Sequence, residues 1–219
     1  MSDVVKVLDA EIAGRRLLDH PFYQRWTEGR LSAGELQEYA RQYYHYALAF
    51  PTFLSAMHAN VDDVPTRQLL LENLIEEERG PENHPELWLR FCEALGLTRT
   101  EVEEGQPNDA TRELIACVRS LARNGDLHEG LAALYAYESQ VPAVAAAKIA
   151  GLAQWYGIDD PRSIGFFSVH MSADVEHSAT SRQLLDRLCD RDEKTAAARD
   201  AGSRTLDALY GFLDSVTAN

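Results

Sequence analysis

The sequence predicts an all-α protein with one core. Apolar residues recur at helical spacing along almost the whole chain, and no segment shows the alternation of apolar and polar residues that marks a half-buried strand. No Asn-Gly hairpin joins two strand-like segments. Because 219 residues can bury one substantial core, we expect a single helical domain over residues 1–219.

Capping residues and prolines divide the chain into helices. Ser32 and Glu35 have the spacing of a capping box. Pro65 suits the first turn of a helix, and Asn108 can cap the helix that follows it. Prolines at 51 and 142 should interrupt helices, because proline has no backbone N–H to donate. The expected helical segments are 3–19, 33–49, a shorter piece to 61, 65–79, 85–95, 108–123, 127–156 with its interruption, 163–188 and a closing helix that contains 206–216.

The composition excludes several kinds of partner. The formal net charge is −14, whereas nucleic acids and anionic membranes both select basic surfaces. No run approaches the roughly 18 apolar residues of a membrane-spanning helix, and the first residues lack the basic-then-apolar order of a signal peptide. The three cysteines are widely spaced and form no Cys-x-x-Cys pair, so no disulfide framework is expected. We therefore expect a cytoplasmic protein that binds neither nucleic acid nor membrane.

His170, Asp174 and His177 are spaced four and three residues apart in a segment that should be helical. At about 100° per residue, their side chains fall within roughly 60° of one another. Leu184 and Leu188 continue the same face, which is therefore expected to point into the core. Three ionisable groups on a buried face are costly unless something neutralises them, and a coordinated metal ion would do so.

Glu77 and His84 are the next candidate metal ligands. They stand seven residues apart, so they share one face if the helical path continues between them. Glu76 and Glu78 compete with Glu77 for this role, and the run of three acids could equally be a solvated surface. The seven-residue step to His84 favours Glu77.

Glu138 is an isolated acid in an otherwise apolar and aromatic segment. It could be a ligand or a structural acid, and its sequence neighbourhood leaves both interpretations open. Together the six candidates offer three carboxylates, three imidazoles and no sulfur, a donor set that suits iron or manganese rather than structural zinc or an iron–sulfur cluster. Three carboxylates can offset most of the charge of two divalent ions. A mononuclear site, which needs only two histidines and one acid, is the alternative.

The six positions, taken in order, resemble the ligand pattern of the haem-oxygenase-like di-metal oxidases, a seven-helix fold that also includes thiaminase II and cofactorless quinone-forming enzymes. Within this superfamily the chain is most similar to the CADD-like para-aminobenzoate synthases. The similarity runs from HPFYQRW at residues 20–26 to SADVEHSATSRQLL at residues 172–185.

The resemblance implies a specific chemistry. Two metal ions, iron with iron or manganese with iron, would use O2 and an external reductant as co-substrates. The ring of Tyr23 and the side-chain nitrogen of Lys148 would be built into the product, 4-aminobenzoate, a folate precursor, so each chain would turn over once. Tyr137 matches a further active-site tyrosine of the family. A homodimer and an unidentified electron donor are the expected partners.

Spacing alone does not predict these roles for Tyr23 and Lys148. Lys148 follows Glu138 by ten residues, about 15 Å along a straight helix and some 80° around it, so it should lie outside the coordination shell. A lysine in an alanine-rich helix is usually a surface residue, and Tyr23 would be core packing. The alternatives are a di-metal oxidase that acts on an external amino acid or fatty acid and a non-catalytic interaction protein of the same fold.

Overall fold

The computed structural model describes residues 3–217, and these residues form helices and no strand, as the sequence predicts. A π-helical segment, Leu152–Tyr156, directly follows the helix that ends at Gly151. The helices are α1 (Asp3–Gly14), α2 (Pro21–Thr27), α3 (Ala33–Ala59), α4 (Val64–Glu78), α5 (His84–Ala94), α6 (Arg99–Glu103), α7 (Asp109–Asn124), α8 (Leu127–Glu138), α9 (Val141–Gly151), α10 (Gly165–Leu188) and α11 (Asp192–Ser215).

The expected number of seven helices is wrong for the described part of the chain, which is divided more finely. Two short helices, α2 and α6, form in segments that lie outside the expected helices. Pro142, in the first turn of α9, separates α9 from α8. None of the helices formed by residues 3–217 is long and apolar enough to cross a lipid bilayer.

Three predicted helix starts are confirmed, two of them by capping hydrogen bonds. At the start of α3, the Glu35 amide donates to Ser32 Oγ over 3.3 Å, and the Ser32 amide donates to Glu35 Oε2 over 2.8 Å. Pro65 lies in the first turn of α4. The side chain of Asn108 accepts a hydrogen bond from the Thr111 amide at the start of α7. Each cap satisfies a backbone donor that has no partner inside its helix.

The expected interruption at Pro51 is wrong, because α3 continues through this residue to Ala59. A proline inside a helix costs about 3 kcal/mol. The side chains of Phe50, Phe53 and Leu54 flank Pro51 and are all buried. Burying each of them contributes roughly 1.5–3 kcal/mol, so the core outweighs the lost hydrogen bond.

The path from α4 to α5 also differs from the expectation. α4 ends at Glu78, and Gly80 follows with a φ of +90°, a conformation that favours glycine. α5 then begins at His84. Glu77 and His84 therefore do not share one continuing helix, and it is the turn between α4 and α5 that brings their side chains together.

Helix α8 lies at the centre of the bundle. All its residues from Gly130 to Glu138 are buried, and it packs against α7, α10 and α11. An added Cβ atom at Gly130 would lie 2.5 Å from Met57 Sδ, so α3 also approaches α8 closely here. Helix α10 packs against α4, α5, α8 and α9. One face of α10 can therefore meet side chains from three other helices that carry predicted ligands.

Candidate metal centre

The six predicted ligands converge as two groups of three. In each group, one possible ligand atom per residue lies within 4.8 Å of the others. Asp174 lines the same small cavity as the first group, so the two groups are neighbours. The first triad is Glu77, His84 and His170, and the second triad is Glu138, Asp174 and His177.

Helices α4, α5 and α10 hold the first triad in a buried position. His84 Nδ1 lies 2.6 Å from Glu77 Oε2, and the rings of His84 and His170 have centroids 4.4 Å apart. His170 Nδ1 donates to the carbonyl oxygen of Phe166 over 2.6 Å, which leaves its Nε2 as the free nitrogen. Burial holds the pKa of His170 well below its usual value. The imidazole is therefore neutral, the form that binds a metal.

The second triad contains buried polar atoms that lack partners. Glu138 Oε2, Asp174 Oδ2 and His177 Nδ1 are inaccessible to solvent, and none has a hydrogen-bond partner among the described residues. Such an atom costs about 1–3 kcal/mol. Three of them in one cluster, two acidic and one basic, are what a bound cation would satisfy. The chemistry of this triad thus fits a metal ion.

Electrostatics in the second triad support the same conclusion. Burial, and then repulsion from Asp174, raises the pKa of Glu138 above its usual value. Burial also raises the pKa of Asp174. Burial lowers the pKa of His177, but the neighbouring carboxylates raise it more strongly, to about 9. These acids hold protons more tightly than usual, and a divalent cation would replace those protons.

Contacts outside the ligand atoms orient the second triad. Asn73 Nδ2 donates to Glu138 Oε1 over 3.3 Å, so the other carboxylate oxygen of Glu138 is the one without a partner. Glu76 Oε2 lies 2.9 Å from His177 Nε2, which leaves His177 Nδ1 as the nitrogen available inside the triad. Glu76 thus contacts a ligand candidate from the outside. Glu77, rather than Glu76 or the exposed Glu78, joins the first triad.

The structure places Lys148 in the core, and its expected surface position is wrong. Its side-chain nitrogen donates to Tyr39 Oη over 2.5 Å rather than to a member of either triad. Burial lowers the pKa of Lys148 to about 7. Aromatic residues from four helices enclose this nitrogen at 4.9–5.9 Å from their ring centroids, and they are Tyr23, Trp26, Tyr39, Tyr43, Trp88 and Phe167.

Tyr39 and Tyr43 connect this aromatic pocket with the first triad. The ring centroids of the two tyrosines are 5.6 Å apart on α3. The hydroxyl groups of Tyr43 and Tyr137 hydrogen-bond to each other, and both side chains line the small cavity at the first triad. Sequence reasoning missed Tyr39 and Tyr43, although their four-residue spacing places them on one helix face.

The chain is similar to known proteins over most of its length. The sequence profile of a family described as iron-containing redox enzymes matches residues 37–210. The 4-aminobenzoate synthase of Nitrosomonas europaea is 44% identical over 97% of this chain and 90% of that protein. The 4-aminobenzoate synthase of Chlamydia trachomatis is 40% identical over 95% of this chain and 89% of that protein.

Solved structures show the same fold. A TenA homologue from Pseudomonas syringae has a TM-score of 0.87 at 17% identity and covers 99% of this chain and 93% of that chain. A CADD-like protein of unknown function from Nostoc punctiforme has a TM-score of 0.79 at 21% identity, with 98% of this chain and 96% of that chain covered.

The helical bundle and the comparisons define a redox enzyme with a haem-oxygenase-like fold. More narrowly, the chain belongs to the iron-containing redox enzyme family and is a member of the same group as the 4-aminobenzoate synthases. The family resemblance drawn from the sequence is confirmed. The role of the six residues as metal ligands stays a prediction.

Proposed function

We propose that this protein is a 4-aminobenzoate synthase that takes the ring of the product from its own Tyr23 and the amino nitrogen from its own Lys148. The names of the relatives at 39–44% identity support the product. One observation carries the proposed source of the atoms: Lys148 Nζ lies 5.3 Å from the centroid of the Tyr23 ring, inside a buried aromatic pocket.

The two triads would hold the metal ions of this reaction. Glu77, His84 and His170 would bind one ion, and the second triad would bind the other. When bound, two ions of iron, or one of manganese and one of iron, would supply the activation of O2 with electrons from an external reductant. The protein would set the positions of the groups that react.

Burial prepares Lys148 as a nitrogen donor. With a pKa of about 7, a substantial share of its side chains is unprotonated near neutral pH and carries a free lone pair. An exposed lysine at this pH would be almost entirely protonated. The aromatic walls also keep water away from the amine.

Tyr39 orients both proposed donors. Its hydroxyl accepts the hydrogen bond of Lys148, and its proximity to the Tyr23 hydroxyl lowers the pKa of that phenol, against the effect of burial. Burial raises the pKa of Tyr23 well above its usual value, so Tyr23 is held as a neutral phenol. One side chain thus fixes the nitrogen and the ring relative to each other. Tyr43 and Tyr137 would close the space between this pocket and the first triad.

The size of the cavity at the first triad favours an internal source of the ring. The cavity holds about 10 Å³, which is the space of about one water molecule. An external amino acid or fatty acid needs a far larger space. Tyrosine and phenylalanine side chains form much of the wall of this cavity.

Isotope labelling tests the proposal. Protein made with ¹³C-ring tyrosine and ¹⁵N-side-chain lysine would be loaded with Fe(II) and Mn(II), and then supplied with reductant and O2. Mass spectrometry should find 4-aminobenzoate that carries both labels. Tyr23→Phe should release no product, whereas Tyr44→Phe, a buried tyrosine outside the Lys148 pocket, should release the normal amount. Product that lacks the ¹³C label would show that the ring comes from an external substrate. Product that lacks the ¹⁵N label would show the same for the nitrogen.

A further inference from the structure

A second cavity reaches the second triad. It lies between α4 and α10, holds about 80 Å³, and has His177 in its wall. Three glutamates also line it: Glu72 and Glu76 from α4, and Glu176 from α10. We call this cavity the α4–α10 cleft. Leucine side chains form much of the rest of its surface.

Asn73 connects the α4–α10 cleft with the second triad. Its side chain lines the cleft and is more than nine-tenths buried. Its Nδ2 donates to Glu138, whereas its Oδ1 is buried and has no hydrogen-bond partner among the described residues. An amide oxygen without a donor, next to a partnerless carboxylate oxygen, is a place where a cation gains ligands.

The charge of the α4–α10 cleft selects cations. Three carboxylates line it, and the one basic residue in its described lining is His177 of the triad itself, with no lysine or arginine beside it. Glu72 and Glu176 are exposed, so they act on ions that approach from solvent. A neutral gas such as O2 would gain nothing from these carboxylates. A cavity lined by one sign of charge raises the local concentration of the opposite ion and its association rate.

The cavity at the first triad offers no comparable path. It holds about 10 Å³, and the aromatic rings of Tyr43, Tyr46, Phe50 and Phe166 surround it. A divalent ion reaches its ligands as a hydrated species and must exchange water for protein oxygen and nitrogen atoms step by step. Of the two cavities, only the α4–α10 cleft combines room with oxygen donors along the way.

We propose that the α4–α10 cleft is the route by which a divalent metal ion enters the second triad, with Asn73 Oδ1 as a ligand on the way. This inference rests on the proposed function only in requiring that the second triad binds metal. Glu72 and Glu176 attract the hydrated ion. Asn73 then replaces part of its hydration shell before Glu138 and His177 bind it.

Two leucines on α4 provide a matched test. Leu69 lines the α4–α10 cleft and is 37% exposed, whereas Leu71 is 40% exposed and does not line it. Leu69→Lys places a positive charge in the wall of the cleft, and Leu71→Lys places the same charge two residues away on the same helix. Uptake of Co(II) by the metal-free protein would be followed by stopped-flow absorption. Leu69→Lys should slow the uptake of one ion roughly five-fold, and Leu71→Lys should leave it unchanged.

A second pair of variants covers the case in which Leu69→Lys fails to fold. Glu72→Gln with Glu176→Gln removes two negative charges from the rim of the cleft. Glu103→Gln with Glu104→Gln removes two from the exposed surface at α6 and the residue after it. The first pair should slow uptake, and the second should not. Equal rates in both pairs would overturn the proposed route.

The outcomes separate this inference from the proposed function. Equal uptake rates with two ions bound at equilibrium would overturn the route and leave the synthase proposal intact. Slowed uptake in the cleft variants, in protein that makes no 4-aminobenzoate, would support the route and count against the synthase. A protein that binds no Co(II) at all would overturn both.

Discussion

The side-chain nitrogen of Lys148 lies 5.3 Å from the centre of the Tyr23 ring, and both side chains are almost completely buried. A buried ammonium group without a carboxylate partner is unusual, because loss of hydration disfavours the charge. The surrounding rings offer cation–π attraction, but each such contact contributes only about 0.5–2 kcal/mol. Burial therefore leaves a substantial share of the Lys148 side chains unprotonated near neutral pH. The lowered pKa has a measurable consequence for the stability of the protein.

Lys148→Met should stabilise the metal-free protein at pH 7. The pKa of Lys148 is about 7 in the folded protein, whereas its ordinary value is 10.5. Between these values the unfolded chain binds a proton that the folded chain lacks, so the stability of the native sequence rises with pH. The gain from methionine should therefore be at most roughly 5 kcal/mol at pH 7 and disappear near pH 10.5.

Urea unfolding at several pH values between 7 and 10 measures this gain. Lys6→Met, which changes an exposed lysine on α1, is the control and should shift stability little at any pH. A gain for Lys148→Met that stays constant across this pH range would contradict the explanation by burial of a charge.

Tyr39→Phe should lower the yield of 4-aminobenzoate about ten-fold while both metal ions remain bound. The variant removes the hydroxyl that accepts from Lys148 Nζ and also contacts Tyr23, and a hydrogen bond to a charged or polar buried group is worth about 1–3 kcal/mol. Product measured by mass spectrometry and metal measured by elemental analysis separate the two effects. Loss of metal in this variant would show that Tyr39 supports the triads instead.

The sequence predicted which side chains come together better than it predicted the path that brings them together. The spacing of His170, Asp174 and His177 requires only a straight helix, and α10 supplies one. Glu77 and His84 meet for a different reason from the one that periodicity suggested, because Gly80 turns the chain between them. Helical phase carries no information about a turn of this kind.

The environment of Lys148 could not be read from its own helix. Most of its neighbours on α9 are alanines, whereas the rings that bury it come from α2, α3, α5 and α10. Such long-range packing leaves no periodic signal at the lysine itself. The family resemblance identified Tyr23 and Lys148, and the structure brings the two together. The single domain over residues 1–219, the cytoplasmic location, the homodimer and the external electron donor stay predictions.

Gly80→Ala should destabilise the protein and weaken metal binding together. Gly80 has a φ of +90°, where a Cβ atom strains the backbone by roughly 1–2 kcal/mol although no neighbouring atom blocks it. The strain falls on the turn that brings Glu77 to His84. Gly34→Ala is the matched control, since Gly34 is also in open space but lies in the first turn of α3. That change should leave metal affinity unaltered and raise stability slightly. Equal metal affinity in the two variants would contradict the role of the turn.

Glu138→Gln should change stability in opposite directions with and without metal. In the metal-free protein, Glu138 is a buried acid that Asp174 repels, so a neutral amide of the same shape should raise the melting temperature. With metal, the variant loses a charged ligand of the second triad, and metal content should fall from two ions per chain towards one. Glu113→Gln, on the exposed face of α7, should change neither quantity. Melting curves with and without chelator, together with elemental analysis, measure both effects. A variant that loses stability in both states would show that Glu138 acts as a structural acid, because only a metal ligand makes the apo and loaded proteins respond with opposite signs.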